Sequence, residues 1–231
     1  MEALRGRRAR NISDIWATAG ASREPWLAGL AVRSASSEEI ERRCGSSSHQ
    51  GICAEAGGYP YVGAPELLAR ENPLLVALDQ VQDPQNLGSI CRTAECAGAA
   101  GVLIPERRAA EITPAVCKAS AGAVEHLAVA RVRNLADFLT DASRAGCWCY
   151  GAAAPGERGG RQVVPYDAPD YSGSGVVLVL GSEGSGLRPR VEGACDELIS
   201  LPMLGKVQSL GVSAAAAALL YEILQIRARK S

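Results

Sequence analysis

Three short stretches hold side chains whose types and spacing suit chemistry on a bound ligand. The first is Asn86-Leu87-Gly88-Ser89-Ile90-Cys91-Arg92, which follows an apolar run and the turn-like Asp83-Pro84-Gln85. Asn86 suits a helix N-cap, and Gly88 and Ser89 would leave the helix start open to a ligand. Arg92 lies further along the same helical text. Helical side chains lean toward the N-terminus, so its guanidinium can reach back over Ser89 and Gly88 and place a permanent cation at a strand's carboxyl end. Taken alone, the segment also reads as an ordinary capped helix with a surface arginine.

The second stretch is Gly181-Ser182-Glu183-Gly184-Ser185-Gly186, directly after the apolar run Val176–Leu180. Strand, glycine turn and helix in that order resemble a dinucleotide fingerprint, but the spacing is G-x-x-G-x-G and a carboxylate sits inside the turn. Glu183 would repel a pyrophosphate and tolerate a cationic sulfonium or amine. The third stretch, Leu201 to Ser213, is a loop from a strand into an Ala-rich helix. Ser209 can cap that helix, and Leu201 and Leu210 offer apolar walls for a ring. An αβ turn and a packed terminal helix are the plain structural readings of these two stretches.

The elements that must position these stretches alternate. Leu74–Leu78 is a continuous apolar run of the kind buried parallel strands show. After it come helical text at Leu87–Gly98, a strand at Val102–Ile104, a helix at Pro114–Ala121, a strand at Leu127–Val132, a helix at Leu135–Ala145 and a strand at Cys147–Gly151. A Gly/Pro-rich loop then leads to the strand Val176–Leu180, a short helix, the strand Leu198–Leu201 and a long helix Leu210–Arg227. Such text predicts an α/β domain with a mostly parallel sheet covered on both faces, with ligands bound beyond the carboxyl ends of the strands. Before it lies a smaller α/β unit, residues 1–56, with strands at Ile12–Ala17 and Gln50–Glu55 and helices at Pro25–Leu30 and Ser37–Arg43. Turn-rich text over 57–72 reads as a linker, and 73–231 as the larger domain.

Composition narrows the classes. The chain of 231 residues is 47% hydrophobic and 21% charged with a net charge of −1, so it lacks the overall basic excess common in nucleic-acid binders. Basic residues are nonetheless clustered, as Arg5, Arg7, Arg8 and Arg10, as Arg107 with Arg108, as Arg131 with Arg133, and as Arg227, Arg229 and Lys230; each group reads as a solvated face. Eight cysteines without a C-x-x-C pair, and only His49 and His126, suggest no metal centre and no disulfide framework, and imply a reducing cytoplasm. No apolar stretch reaches the roughly 20 residues of a membrane span.

Together the three stretches resemble, in order and place, the signature motifs of the SpoU/TrmH family of RNA ribose 2′-O-methyltransferases, most closely the branch that modifies a guanosine of 23S ribosomal RNA. The resemblance runs from about Leu74 to the C-terminus. It implies a SPOUT domain with a C-terminal trefoil knot, S-adenosylmethionine as cofactor, no metal, RNA as substrate and a homodimer with the active site at its interface. Asn86, Arg92, Glu183 and Ser209 would be the catalytic group. Gly181, Leu201 and Leu210 would line the cofactor site, with Leu180, Gly184, Met203 and Gly211 beside them. His49-Gln50-Gly51-Ile52 looks like the end of the small ribosomal-protein-like substrate-binding domain of this branch, and Met1-Glu2-Ala3-Leu4 resembles the interior of its first helix, as if the N-terminus were truncated. A second departure is Gly211, where the family's third motif usually carries Asn.

In such chemistry a ribose hydroxyl, a poor nucleophile at neutral pH, must be held in line with the methyl group while its developing charge is stabilised. Arg92 stays protonated, which suits it to electrostatic stabilisation and phosphate anchoring. Proton removal is left to Glu183, a phosphate oxygen or water. Two other classes are consistent with parts of the text. A catalytically weak RNA-binding or ribosome-assembly protein would keep the arginine clusters, and a nicotinamide-dependent oxidoreductase would use the glycine turn, although spacing and Glu183 oppose it. A tRNA ribose is the alternative substrate.

Overall fold

The computed structural model describes residues 2, 11–158, 160–207 and 209–230. The helical reading of Met1–Leu4 and the cluster Arg5, Arg7, Arg8 and Arg10 fall outside them apart from Glu2, as does Gln208 of the third stretch. The chain divides into two compact units, Met1–Pro60 and Tyr61–Ser231.

In the first unit β1 (Ile12–Ala17) lies between β2 (Val32–Ser34), which is parallel to it, and β3 (Ile52–Ala56), which is antiparallel. β1 has the expected bounds. β3 starts later than the alternation predicts, because Gln50 and Gly51 take left-handed backbone with φ of 52° and 78° and form the turn before it. Helix α1 (Ser37–Cys44) is closed at both ends by sequence-local devices. The Ser36 hydroxyl accepts from the Glu39 backbone N–H at 3.1 Å, and Gly45 ends the helix at a φ of 65°. The helix expected at Pro25–Leu30 is a single 3₁₀ turn, Pro25–Leu27, and the short β2 was not foreseen. Ile15, Ala17 and Leu27 form a small core.

The second unit opens with α2 (Ala64–Leu68), a helix inside the stretch read as linker. Val62 just before it donates its backbone N–H to the Val129 carbonyl at 3.0 Å. Turn-rich text concealed the helix because Gly63 and Pro65 serve as its start: the Gly63 N–H donates to Glu66 Oε1 at 3.0 Å. There follow β4 (Leu74–Asp79), α3 (Pro84–Cys96), β5 (Gly101–Pro105), α4 (Pro114–Ala119), β6 (Val129–Val132), α5 (Leu135–Arg144), β7 (Cys147–Ala152), β8 (Glu157–Arg158) and β9 (Arg161–Pro165). The unit ends with β10 (Gly175–Gly181), α6 (Pro189–Glu192), β11 (Glu197–Ser200) and α7 (Val212–Lys230).

Among the described residues the sheet order is β6-β5-β4-β10-β7-β11-β9-β8, and every pair but β8/β9 is parallel. The predicted α/β class with a mostly parallel sheet is the observed one. β8 and β9 lie in the stretch read as a loop. What holds β9 beside β11 is tertiary: Arg161 donates to the carbonyls of Glu192, Cys195 and Asp196 at 2.7–2.9 Å. β4 is buried along its whole length, as is β10 from Gly175 to Leu180, and each Val or Leu so placed contributes about 1.5–3 kcal/mol. Cys147 and Cys149 point into this core while Trp148 between them is 51% exposed, as alternation requires.

Strand register fixes where the loops emerge. β10 lies beside β4 with Gly181 opposite Asp79, and beside β7 with Val179 opposite Gly151. From β4 the chain runs outward through β5 and β6, whereas β10, β7 and β11 lie on the other side. That reversal is the switch point at which open α/β sheets form crevices.

Candidate active site

The loops after β7, β10 and β11 enclose a cavity of about 440 Å³ at the carboxyl ends of these three strands. Leu180, Gly181, Glu183, Gly184, Leu201, Met203, Ser209, Leu210 and Gly211 all border it. The structure thus gathers all seven expected cofactor-lining residues with two of the four expected catalytic ones. Ile199, Ala215 and Leu219 add apolar wall from β11 and α7.

The turn after β10 is held by its own backbone. Ser182 and Gly186 exchange N–H···O bonds of 3.2 and 3.0 Å, and Gly184 and Gly186 take φ of 84° and 70°. Gly181 has no room for a side chain, since a Cβ there would overlap the backbone of Gly186 and Leu187. The glycines are therefore required by a tight reversal, which leaves the turn's polar backbone beside the cavity. Underneath, the buried Asp79 carboxylate takes the Arg188 backbone N–H at 2.8 Å and its guanidinium at 2.6 and 2.7 Å. This clamp holds the exit of the turn to the end of β4.

Asn86 meets the turn from the neighbouring loop, its Nδ2 donating to Glu183 Oε1 at 3.1 Å. Gly211, with a φ of 81°, lies so that a Cβ there would sit 3.7 Å from the same oxygen. One residue from each of the other two stretches, Asn86 and Gly211, thus converges on Glu183. Arg92 does not join them. It is exposed on α3, outside the cavity lining, with no hydrogen bond or ion pair among the described residues.

Three local expectations are corrected. Asp83, not Asn86, is the N-cap of α3: its carboxylate accepts from the N–H groups of Gln85 and Asn86 at 3.0 and 3.3 Å, which frees the Asn86 amide for Glu183. Gly88 does not open the helix to a ligand, because it is buried where α3 crosses the end of α4, and a Cβ there would strike Ala119. Ser209 does not cap α7, which begins at Val212 after the left-handed Gly211; Ser209 is instead exposed at the cavity rim.

Sequence reasoning missed Asp79, Arg188 and Arg158. Asp79 did carry a signal, a lone carboxylate ending the apolar run of β4. Arg158 carried none. It sits in the Gly/Pro-rich stretch, borders the cavity, is held by Glu192 Oε2 at 3.3 Å, and is the one cation among the described lining residues. Cysteine chemistry is absent from the site: burial raises Cys195 near the turn, and Cys91 on α3, to about 12. Among the described residues no three His, Cys, Asp or Glu side chains gather as metal ligands, and no helix is long and apolar enough to cross a membrane.

The profile of the SpoU rRNA Methylase family matches residues 73–221. A relative in Bacillus subtilis (strain 168), named for the TrmH family of tRNA/rRNA methyltransferases, is 42% identical over 188 residues, 79% of this chain and 72% of its own. The 23S rRNA (guanosine-2′-O-)-methyltransferase RlmB of Acinetobacter baylyi is 36% identical over 228 residues, 97% of this chain and 88% of its own. The AdoMet-bound rRNA methyltransferase of Sinorhizobium meliloti superposes with a TM-score of 0.79 at 25% identity, over 97% of this chain and 83% of that one. The SpoU methyltransferase AviRb of Streptomyces viridochromogenes, in complex with AdoMet, shares the fold with a TM-score of 0.80 at 23% identity, over 98% and 86% of the two chains. Motif order, site geometry and these likenesses agree, and the chain belongs to the SpoU rRNA methylase family.

Proposed function

We propose that this protein methylates a ribose 2′-hydroxyl of a guanosine in 23S ribosomal RNA, using S-adenosylmethionine. The observation that carries the reading is the convergence of Asn86, Glu183 and Gly211, from three distant stretches, beside one cavity at the strand ends. The guanosine of 23S rRNA is supported by likeness to the Acinetobacter enzyme over nearly the whole chain. The Bacillus relative's name keeps tRNA as the second substrate to test.

The residues present fit the cofactor. A cavity of about 440 Å³ falls within the range of small-molecule sites. Leu180, Leu201, Leu210 and Ile199 offer walls for an aromatic ring, Arg158 a counter-charge for a carboxylate, and Glu183 one for a sulfonium. When bound, S-adenosylmethionine supplies a methyl group already activated for transfer. The chain then has to place the ribose hydroxyl, remove its proton and stabilise the oxyanion. Glu183, oriented by the Asn86 amide, is the carboxylate placed to receive that proton, and Arg92 would steady the oxyanion and an adjacent phosphate.

Arg92 lies outside the cavity of its own chain, and Leu204, Val207, Leu210 and Tyr221 near the cavity and on α7 are 99%, 72%, 52% and 45% exposed. Both features support a homodimer whose interface completes the site, and the same reading carries a knotted C-terminal segment and an RNA-holding role for residues 1–56. The test is a map of 2′-O-methyls in 23S rRNA and tRNA from cells lacking the gene. Loss of one guanosine methylation in 23S rRNA, restored by the wild-type gene, is expected; an unchanged map would overturn the reading. A concentration-independent monomer mass in solution would overturn the dimer.

A further inference from the structure

Two of the arginine clusters seen in the sequence come together in the fold. Arg107 and Arg108 follow β5, and Arg133 follows β6; the two strands are parallel neighbours with Pro105 opposite Val132, so both loops leave the sheet at the same end. They open on a groove of about 1180 Å³ between α2 and α5, where Arg188 and Arg190 join them. Arg188 is engaged by Asp79, and Arg190 pairs with Asp137 at 2.8 Å. The other groove carboxylate, Asp141, pairs with Arg144 at 3.5 Å. Arg107, Arg108 and Arg133 are all exposed, with no hydrogen bond or ion pair among the described residues.

Three unpaired guanidiniums sharing one groove are unexpected in a chain of net charge −1. Their mutual repulsion is relieved by an anion, and phosphate is the anion that an RNA strand presents at every nucleotide. The groove is also close to the cavity. Arg188 on its wall is five residues beyond Glu183, so about 18 Å at most separates their backbones. We propose that this groove holds the phosphate backbone of the substrate RNA to one side of the reacting nucleotide, Arg107, Arg108 and Arg133 each contacting a phosphate. The inference rests on the RNA-methylating reading above and adds a surface away from the methyl-transfer site.

The test uses the full chain, a fluorescein-labelled oligouridylate as probe, and S-adenosylhomocysteine binding as a measure of the intact cavity. Replacing Arg107, Arg108 and Arg133 together by Gln should weaken oligouridylate binding at least about tenfold, and should make the log–log salt dependence shallower by about 2, the share of three phosphates on a single strand. S-Adenosylhomocysteine binding should not change. Lys at the same three positions should restore most of the affinity, since charge carries the contact. Arg133→Gln alone serves if the triple variant fails to fold, with a salt slope reduced by about 0.7. Wild-type affinity and slope in the Gln variants overturn the proposal, as does a wild-type protein that does not bind the oligomer. If RNA binding depends on these arginines while the protein methylates no RNA, the groove stands and the assigned reaction fails.

Discussion

Asp79 at the end of β4 and Arg188, 109 residues further along, are joined by the guanidinium and by the Arg188 backbone N–H, with the carboxylate fully buried and Arg188 partly exposed. The pair closes the glycine turn onto the central strand. Asp79→Ala should lower stability by about 3 kcal/mol, because a buried charge-assisted contact is lost and a turn N–H is left without its acceptor. Thermal unfolding measures this, and S-adenosylhomocysteine affinity should fall with it. An unchanged affinity would mean that the turn keeps its shape without the clamp.

Glu183→Gln keeps an oxygen to accept from Asn86 Nδ2 and removes the charge. Binding of S-adenosylmethionine should weaken about fivefold relative to S-adenosylhomocysteine, which lacks the sulfonium, in line with about 1 kcal/mol for a partly exposed ion pair. Methyl transfer should fall further than binding. Equal affinities for the two ligands in wild type and variant would remove Glu183 as the counter-charge.

Arg92 projects from α3 without a partner among the described residues. Arg92→Ala should leave cofactor affinity intact and cut single-turnover methylation by roughly two to three orders of magnitude, the scale of one lost transition-state donor. Arg92→Lys should rescue little, because an ammonium cannot make the two-pronged contact. Normal turnover in the Ala variant would make Arg92 a surface residue.

Arg158 is the one cation among the described residues bordering the cavity. Arg158→Met should weaken S-adenosylhomocysteine about tenfold while leaving 5′-methylthioadenosine, which lacks the amino-acid end, unaffected; a charged hydrogen bond of about 1.5–3 kcal/mol accounts for the difference. Calorimetry of both ligands reads it. Equal losses would show that Arg158 acts through its ion pair with Glu192 and not on the ligand.

By the motif resemblance, Gly211 takes the position of a usual Asn. Its φ of 81° is a backbone that Asn adopts more readily than other side chains, and a Cβ there meets only Glu183 Oε1 at an ordinary 3.7 Å. Gly211→Asn should therefore fold with stability within about 1 kcal/mol of wild type and raise the methylation rate. A slower enzyme with unchanged cofactor affinity would mean that this chain has compensated for the missing amide.

The order of elements was legible in the amino-acid sequence because burial leaves a periodic mark: unbroken apolar runs at β4 and β10, and alternation around Trp148 in β7. The glycine turn was legible too, since Gly181, Gly184 and Gly186 serve backbone conformations or clearances that other residues meet poorly. β8, β9 and the short β2 were not: β9 is placed by partners far along the chain, with Val163 opposite Leu198 and Arg161 reaching the carbonyls around Cys195, while β8 is a two-residue strand paired to β9 and β2 has three residues with no buried side chain to mark it. The cap of α3 was misplaced for a related reason. Asp83 and Asn86 are both competent caps, and only the approach of Glu183 across 97 residues decides which amide is spent on the helix and which on the site. Tertiary structure alone decided the pairing of Asp79 with Arg188, the entry of Arg158 to the cavity, and the gathering of Arg107, Arg108 and Arg133 on one groove. Charge on a side chain carries no periodic signal, and its partner is chosen by strand register, which is set only once the sheet has assembled.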